Sequence, residues 1–356
     1  MEFACYTDWA PLPDGITALF AHAERQSLFH SRPWFENLAE NAAAPGHRLL
    51  LACVEEHGEP LAVLPLWTAE DGNWRALSSY YTSLFTVLLA DGCRRNAVID
   101  CLAAGLAGTA MQTLRLEPVA DHDPDMAQLR QALDRHGYDY QRLFHFVNWS
   151  HRLRGQSFEQ YLAQRPSRLR NTIARKRRKL EREHDVGIRL YTDGDLEQAI
   201  ADYGVVYKAS WKDGERFTRF VPTLLRTMAG AGWLRLGILY IDGQPAAAQI
   251  WFVVHGMASI FRLVYDERWQ QYSPGSILTA HLAQHVIDID HVQSIDFLTG
   301  NERYKQDWMQ DRGERWRLVF VRRGQRAPGR GLLARWLGRL RGVTPHDPTE
   351  HPPTGN

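Results

Sequence analysis

Apolar positions in the first 150 residues recur with helical and strand periods in a definite order. Gly58 lies between two runs rich in Leu, Val and Ala, which is typical of a β-hairpin turn. The predicted elements are a strand at 2–6, helices at 16–26 and 33–41, hairpin strands at 48–55 and 60–68, an extended run at 81–89, a helix at 94–106, a strand at 112–117, a helix at 126–136 and a strand at 138–149.

The second half of the chain repeats this order from residue 196. One face of a predicted helix at 196–211 is apolar at spacings of three and four: Leu196, Ile200, Tyr203 and Tyr207. Asp242-Gly243 predicts a second hairpin. The other predicted elements are a helix at 220–229, hairpin strands at 233–241 and 245–254, a strand at 257–265, a helix at 274–289, a strand at 293–298, a short helix at 301–309 and a strand at 315–322. The repeated order predicts tandem α/β domains with mixed sheets.

A strongly basic connector lies between the halves. Residues 157–182 predict two helical segments divided at Pro166, with Ser167 as the cap of the second. Leu169, Ile173 and Leu180 form its apolar face. Its other faces carry Arg168, Arg170, Arg175, Lys176, Arg177, Arg178, Lys179 and Arg182. Because like charges on one helix repel, the segment from Arg168 to Arg182 favours an anionic partner: phosphate, nucleotide, lipid head group or tRNA. The alternative is a solvated connector.

These patterns divide the chain into four predicted regions: a first α/β unit at 1–150, the basic connector at 151–195, a second unit at 196–323 and a basic amphipathic segment with a disordered tail at 324–356. The last region carries an apolar stripe from Leu332 to Leu340, flanked by Arg335 and Arg339. That stripe predicts either docking on the protein's own body or contact with a membrane surface.

Composition narrows the function classes. The chain has 356 residues, enough for two domains, and 42 Lys and Arg against 41 Asp and Glu, so the molecule as a whole is not a nucleic-acid binder by charge. Its four cysteines form no CxxC pair, which favours free thiols. No signal-peptide pattern opens the sequence, and no apolar run approaches the roughly 20 residues that span a bilayer. We expect a cytoplasmic protein; if the stripe binds a membrane instead of the protein's own body, the contact is peripheral, at the inner membrane surface.

Several enzyme classes leave no trace in the sequence. It contains no GxSxG elbow, P-loop, HExxH motif or GxGxxG after a strand. The 15 histidines lack metal-ligand spacing, and we expect no metal.

Candidate chemistry gathers in the second half. Ser273-Pro274-Gly275-Ser276 joins a predicted strand to a helix, where free backbone N–H groups and the helix dipole suit a pyrophosphate. The alternative is an ordinary capped helix. Lys305 follows the next strand and is a candidate donor to a thioester oxyanion, with Tyr304 as the acid that protonates the leaving thiolate. The alternatives are a solvated lysine and a packing tyrosine.

A further candidate is the aromatic and charged stretch from Tyr207 to Phe217. It fits an acceptor pocket around Trp211, although Trp211 is equally suited to anchor a domain interface.

Several segments occur in order between residues 157 and 310. They are Ser167-Arg-Leu-Arg-Asn-Thr-Ile-Ala-Arg-Lys-Arg-Arg-Lys-Leu, Tyr207 to Lys212, Asp242-Gly-Gln-Pro-Ala-Ala-Ala, Tyr265-Asp, Ser273-Pro-Gly-Ser-Ile-Leu and Asp296-Phe-Leu-Thr-Gly-Asn-Glu-Arg-Tyr-Lys-Gln-Asp-Trp. In this order the chain resembles the BioF2-like (CelD/BcsL-type) acetyltransferases of the GNAT superfamily, relatives of the Fem aminoacyl transferases. The first half resembles the partner unit of this tandem family through its element order and Pro60-Leu-Ala-Val-Leu-Pro-Leu.

The resemblance implies acetyl-CoA or another acyl-CoA as co-substrate, direct transfer without a covalent enzyme intermediate, and an active cleft in the second unit. By motif match the donor loop comprises Tyr272, Ser273, Gly275, Ser276 and Ile277, and Lys305 lies near the reacting carbonyl. The sequence departs from the family in one place, since Gln-Tyr-Ser-Pro-Gly-Ser replaces the GNAT loop Gln/Arg-x-x-Gly-x-Gly/Ala.

On the acceptor side the candidates are Trp211, Lys212, Arg170 and Asp296. The leading hypothesis is an N-acyltransferase that acts on an amine, such as an amino sugar or another precursor of the cell envelope or of a polysaccharide. Two alternatives stay open: Fem-like transfer from aminoacyl-tRNA, and a non-catalytic binding scaffold. The sequence leaves the oligomeric state open. All acyltransferase readings require the Ser-Pro-Gly turn and the Tyr-Lys pair to face one crevice.

Overall fold

A computed structural model describes residues 1–212 and 214–324. The stripe from 332 to 340 lies outside this range. The strands are β1 (Glu2–Tyr6), β2 (Arg48–Glu56), β3 (Glu59–Thr68), β4 (Asn73–Ala76), β5 (Leu88–Leu89), β6 (Thr113–Ala120), β7 (Tyr138–Arg152), β8 (Val186–Tyr191), β9 (Leu234–Ile241), β10 (Gln244–Val254), β11 (Met257–Tyr265), β12 (Ser294–Thr299) and β13 (Asp311–Arg322). The helices are α1 (Ile16–Ala23), α2 (Arg32–Asn41), α3 (Arg95–Ala107), α4 (Pro124–Arg135), α5 (Phe158–Ala163), α6 (Ser167–Glu183), α7 (Leu196–Lys208), α8 (Phe220–Gly230), α9 (Pro274–Asp288) and α10 (Arg303–Trp308).

All strands belong to one mixed sheet, in the order β1-β2-β3-β4-β6-β13-β7-β12-β11-β10-β9-β8, with β5 beside β3. The predicted α/β class with mixed sheets is therefore confirmed. The parallel pairs are β4 with β6 and β11 with β12, each joined through a helix. The last strand, β13, lies between β6 and β7, so the two halves of the chain share a continuous sheet.

Helices cover both faces of this sheet. Along β9, Leu236 and Ile238 point into one apolar core, while Leu239 and Ile241 point into another, as the period of two in a strand requires. The first core extends through both halves: Trp34 of α2 lies 5.7 Å from Phe220 of α8, ring centre to ring centre. The halves are thus joined by packing as well as by strand pairing.

Most predicted elements occur within a few residues of the expected bounds, and the exceptions have physical reasons. The run at 81–89 is not one strand, since only Leu88–Leu89 pairs with β3 and the preceding residues pack without strand partners. The strands β4 and β8 were not predicted, because Asn73–Ala76 is short and polar and Val186–Tyr191 contains a glycine and an arginine. Ser167 is not a cap: Pro166 occupies the cap position and no side chain bonds to the helix start.

Within the described part of the chain, no helix is long and apolar enough to cross a membrane.

Candidate active site

The parallel strands β11 and β12 pair over a short stretch and then separate. Met257–Ser259 pairs with Ser294–Asp296, whereas β11 continues to Tyr265 and β12 to Thr299. Ile250 of β10 pairs with Arg262 and Trp251 with Ile260, so Phe261 is an extra residue that bulges and twists β11. We call the diverging carboxyl ends, 260–265 and 297–299, the β11/β12 fork. Ligands of open α/β sheets bind at such strand ends.

The Ser-Pro-Gly turn and the Tyr-Lys pair both lie at this fork. Helix α9 begins after β11 and helix α10 begins after β12. Because the two strands are parallel, the helix starts that follow them emerge at the same edge of the sheet. The fold therefore brings Gly275 and Lys305 to one edge.

The start of α9 keeps one buried donor available. Ser273 adopts φ 53° and its carbonyl accepts the amides of Ser276, at 3.1 Å, and Ile277, at 3.2 Å. The amide of buried Gly275 donates to no backbone carbonyl of the described residues. Buried amides are nearly always paired, so this one suits an anionic ligand. The half-buried Ser276 lies beside it.

The other two residues of the expected donor loop are packed rather than open. Tyr272 is 4% exposed and donates its hydroxyl to Glu183 Oε2 at 2.9 Å. This bond to the Glu183 carboxylate raises the pKa of the Tyr272 phenol. Ile277 belongs to the second apolar core. Their side chains fix the turn in place.

The basic helix α6 touches both the donor turn and α10. Lys176 Nζ donates to the carbonyl of Gln271, and Lys179 Nζ lies 5.0 Å from the centre of the Tyr272 ring. Near its start, Arg168 pairs with Asp307 of α10 at 2.6 Å. Arg170 is exposed on the same helix. The connector thus brings its positive charges to the edge that carries the donor turn.

Lys305 is buried, with 5% of its surface exposed. Its ammonium donates to the carbonyl of Thr299 and lies 3.2 Å from Glu302 Oε2. Burial lowers the pKa of the amine, while the Glu302 and Asp296 carboxylates oppose that shift. A lysine has three N–H donors and one is used by the Thr299 carbonyl, so at least one remains for a developing oxyanion. The interpretation of Lys305 as a solvated lysine is wrong.

Tyr304 points away from Lys305, because consecutive helical residues diverge by about 100°. Its side chain is 42% exposed and its ring lies 6.2 Å from that of Phe297. Desolvation and the Glu302 carboxylate raise the pKa of its phenol, which makes Tyr304 a weaker acid than an ordinary tyrosine. No hydrogen bond joins Tyr304 to Lys305 among residues 1–212 and 214–324.

Asp296 supports the fork from inside the sheet. Its Oδ1 accepts from Asn148 Nδ2 at 2.9 Å and from the Leu298 amide at 2.7 Å. Burial raises the pKa of its carboxyl, and the Arg315 cation opposes this. Asp296 also lines a cavity of about 720 Å³ that includes Ser294, at the opposite end of β12 from the fork.

The predicted acceptor residues Trp211 and Lys212 also lie near the fork. The Trp211 ring is 4.6 Å from that of Tyr265, and a Cβ on Gly275 would lie 3.5 Å from the same tyrosine. Burial lowers the pKa of Lys212 to about 8, with contributions from Arg262 and Lys305. Trp211 therefore adjoins the donor turn, and Lys212 lies within electrostatic range of Lys305.

Tyr80, Tyr81 and Arg262 at this edge were not predicted, whereas Glu215 belongs to the predicted stretch from Tyr207 to Phe217. Glu215 accepts from the hydroxyls of Tyr80, at 2.7 Å, and Tyr81, and pairs with Arg262 at 3.1 Å. No sequence signal links these residues, since Tyr80 and Glu215 are 135 positions apart. Glu302 was also not predicted, although its spacing of three from Lys305 on a helix is a signal for the pair.

The described residues hold no group of three or more His, Cys, Asp or Glu side chains that could bind a metal ion.

Comparison with known proteins finds a family similarity that begins at helix α6 and ends in helix α10. Residues 167–306 match the model of the acetyltransferase (GNAT) domain. A comparison with curated protein sequences gives no significant match.

Solved structures share the fold across most of the chain. FemX superposes with a TM-score of 0.59 at 9% identity, covering 83% of this chain and 92% of that chain. L-PGS from Bacillus licheniformis gives 0.52 at 12% identity, covering 83% and 90%. A tandem GNAT protein from the clavulanic acid biosynthesis pathway gives 0.50 at 13% identity, covering 89% and 98%. At such identities the likeness concerns the fold. The chain therefore has the tandem fold of GNAT proteins, and its residues 167–306 are similar to the acetyltransferase (GNAT) domain.

Proposed function

We propose that the protein is an N-acyltransferase of the BioF2-like type, which moves an acyl group, in the simplest case acetyl, from acyl-CoA to an amine. The observation that carries this proposal is the β11/β12 fork, where a buried unpaired amide at Gly275 and a buried lysine at Lys305 share one edge of the sheet. The GNAT domain match over the same residues supports it.

In the proposed reaction the neutral amine attacks the thioester carbonyl, a C–N bond forms and the C–S bond breaks. The third N–H of Lys305 stabilises the oxyanion that develops on the carbonyl oxygen. The leaving thiolate takes up a proton, for which we keep Tyr304 as the predicted donor, although its raised pKa makes it a weak acid. The amine loses one proton as the amide forms, and the Glu302 carboxylate beside Lys305 is placed to accept it. The Gly275 amide and Ser276 bind the donor's pyrophosphate.

Calorimetric titration with acetyl-CoA tests donor binding. We expect saturable heat and a rise in melting temperature, since a ligand that binds only the folded state stabilises it. The variant Lys305→Ala should bind the donor and lose about 100-fold or more in turnover, in line with loss of an oxyanion donor. Arg48→Ala, at an exposed cation of β2 outside the candidate site, is the control. Unchanged turnover in Lys305→Ala would remove that residue from the mechanism.

We propose that helix α6 is the anion-binding element for the donor. Its Lys176 and Lys179 contact the turn before α9, and the helix presents further cations beside them. Lys176→Ala combined with Lys179→Ala should weaken CoA binding more than binding of dephospho-CoA, if these side chains face the 3′-phosphate. Equal losses for the two ligands would move the contact to the pyrophosphate.

A second candidate is Fem-like transfer from aminoacyl-tRNA. The observation that favours it is the set of exposed cations on α6 that form no ion pair among the described residues, Arg170, Arg175 and Arg178, in a fold shared with FemX. Filter binding of charged tRNA at moderate salt discriminates, because phosphate contacts weaken steeply as salt rises. Binding of neither tRNA nor acyl-CoA would leave the scaffold hypothesis.

The proposed use of acyl-CoA also suggests where in the cell the protein acts. Acyl-CoA is a cytosolic metabolite, so we propose a cytoplasmic enzyme that acts on an amino sugar or another cell-envelope or polysaccharide precursor. Peripheral membrane contact through 332–340 is part of this proposal. Vesicle co-sedimentation of the full chain, compared with a chain ending at residue 324, tests it, and equal sedimentation would refute it.

A further inference from the structure

The first half contains a second fork that its own chain fills. Strands β4 and β6 are parallel and pair only over Asn73–Arg75 and Thr113–Arg115. By the logic of the β11/β12 fork, a ligand would enter beyond these pairs. Instead the segment 77–87 occupies that place: the Phe85 amide donates to the Pro118 carbonyl of β6 at 2.7 Å. Phe85 and Val87 are fully buried there. The first half therefore has no room for a donor at this fork.

The same segment reaches across to the second half. Ser83 Oγ lies 3.3 Å from Thr299 Oγ1, and the carbonyl of Thr299 is the acceptor for the Lys305 ammonium. A few residues earlier, Tyr80 and Tyr81 donate their hydroxyls to Glu215. Segment 77–87 of the first half thus contacts Thr299, which binds Lys305, and Glu215, which lies in the predicted acceptor stretch.

Aromatic rings form a cluster where the halves meet, in which Tyr81 and Phe220 are buried and Tyr80 is exposed. The Tyr81 ring stacks on Phe220 at 4.1 Å and 4°. The Tyr80 ring lies nearly parallel to Phe217, at 6.1 Å and 15°. Tyr80 is 47% exposed, which is unusual for a ring inside such a cluster. An exposed aromatic face with hydroxyls and a carboxylate at its edge binds a ring that has an apolar face and polar substituents.

Cations outnumber carboxylates around this cluster. Lys212, Arg262 and Lys305 lie among the carboxylates Glu215, Glu302 and Asp296. In addition, Arg216 lies 5.4 Å from the centre of the Phe217 ring, and Arg315 donates to the Ser83 carbonyl at 2.9 Å. The surplus of positive charge disfavours a protonated amine and favours a ligand that binds with its amine neutral, which is the form that attacks a thioester.

We propose that segment 77–87 of the first half forms one wall of a composite acceptor site, completed by Glu215 and Arg262, which binds a hydroxylated ring that carries the amine, an amino sugar. This proposal rests on the proposed function for its chemistry. It assigns to the first half the binding of acceptor, while the second half holds the donor.

The test measures binding of the acceptor in the absence of the donor, so its result does not depend on whether the protein catalyses acyl transfer. We would titrate D-glucosamine, and ethanolamine as an amine without a ring, into the full chain by saturation-transfer NMR. We expect D-glucosamine to bind and ethanolamine to fail. Tyr80→Ala should weaken D-glucosamine binding roughly 3- to 10-fold, the value of one lost ring stack. Tyr80→Phe should retain most of the binding.

Phe144→Ala is the control, since it removes an exposed aromatic ring of β7. Thermal unfolding of each variant verifies that it is folded. The proposal is overturned if wild type binds neither amine or both equally, or if Tyr80→Ala behaves like Phe144→Ala. If the sugar binds as expected while acetyl-CoA gives no heat, the acceptor site stands and the acyl-CoA function fails.

Discussion

Replacing Gly300 with alanine tests the contact between Lys305 and Glu302 without changing either residue. Gly300 follows β12 with φ 124°, a region that residues with a Cβ rarely adopt. An added Cβ would lie 2.1 Å from Glu302 Oε2. That oxygen is the end of a flexible side chain and can move at little cost, but it is also the atom 3.2 Å from Lys305 Nζ. The substitution therefore separates Glu302 from Lys305.

Three effects follow from this change. Displacing Glu302 moves the group that we propose accepts the proton of the amine, which should lower turnover. Strain at a backbone position of this kind costs about 1–3 kcal/mol in the free energy of unfolding. Losing the nearby carboxylate also lowers the pKa of the Lys305 ammonium further, because that carboxylate opposes the effect of burial. Since the protonated form is needed to stabilise the oxyanion, the alkaline limb of the kcat profile should move to lower pH.

The matched control is Gly243→Ala in the hairpin turn. Gly243 has φ 76° and an added Cβ would meet nothing within 4 Å, so only backbone strain of about 1–2 kcal/mol is expected. Urea unfolding measures stability, and the pH dependence of thiol release from acetyl-CoA measures the limb. If both variants show the same profile and the same turnover, Glu302 does not control Lys305 and the reasoning is refuted.

Three further outcomes are expected. Phe220→Ala should lower the free energy of unfolding in urea by about 3–5 kcal/mol, because this fully buried ring stacks on Tyr81. Unfolding should keep a single transition, since the two halves share the core that contains Phe220. Two separate transitions would contradict a shared core. Arg168→Ala should cost less than about 1 kcal/mol, because its ion pair with Asp307 is exposed, and a larger loss would contradict this. Burial lowers the pKa of His30 to about 4, so His30 is protonated in the unfolded chain at a higher pH than in the folded protein. The free energy of unfolding should therefore fall by roughly 3 kcal/mol as pH drops from 6.5 to 4. His30→Phe should reduce this dependence of stability on pH, and an unchanged dependence would exclude His30 as its source.

Local signals predicted much of the fold. The Asp242-Gly243 turn and its flanking apolar runs correspond to the hairpin of β9 and β10, because turn chemistry acts over a few residues. The segment at 81–89 shows the limit of such signals. Most of its apolar residues are buried but do not pair as a strand; they fill the space between β4 and β6. The periodicity of apolar residues does not distinguish a buried strand from a buried segment without strand partners.

The sequence likewise predicted some features of the candidate site and not others. Tyr304 and Lys305 follow a strand in the sequence, so their position at a strand end could be predicted. The direction of each side chain could not, because it depends on Glu302, Thr299 and Phe297 around them. The roles of all the predicted site residues stay predictions.

The sequence by itself determined most of the elements, their order and the two strand–helix turns that carry the candidate chemistry, since periodicity and turn residues are short-range properties. Only the tertiary structure decided that β13 enters between β6 and β7, that β11 and β12 diverge, and that Tyr80 meets Glu215. These contacts join residues far apart in the chain. They depend on which strands pair and where pairing stops, and no local pattern specifies that.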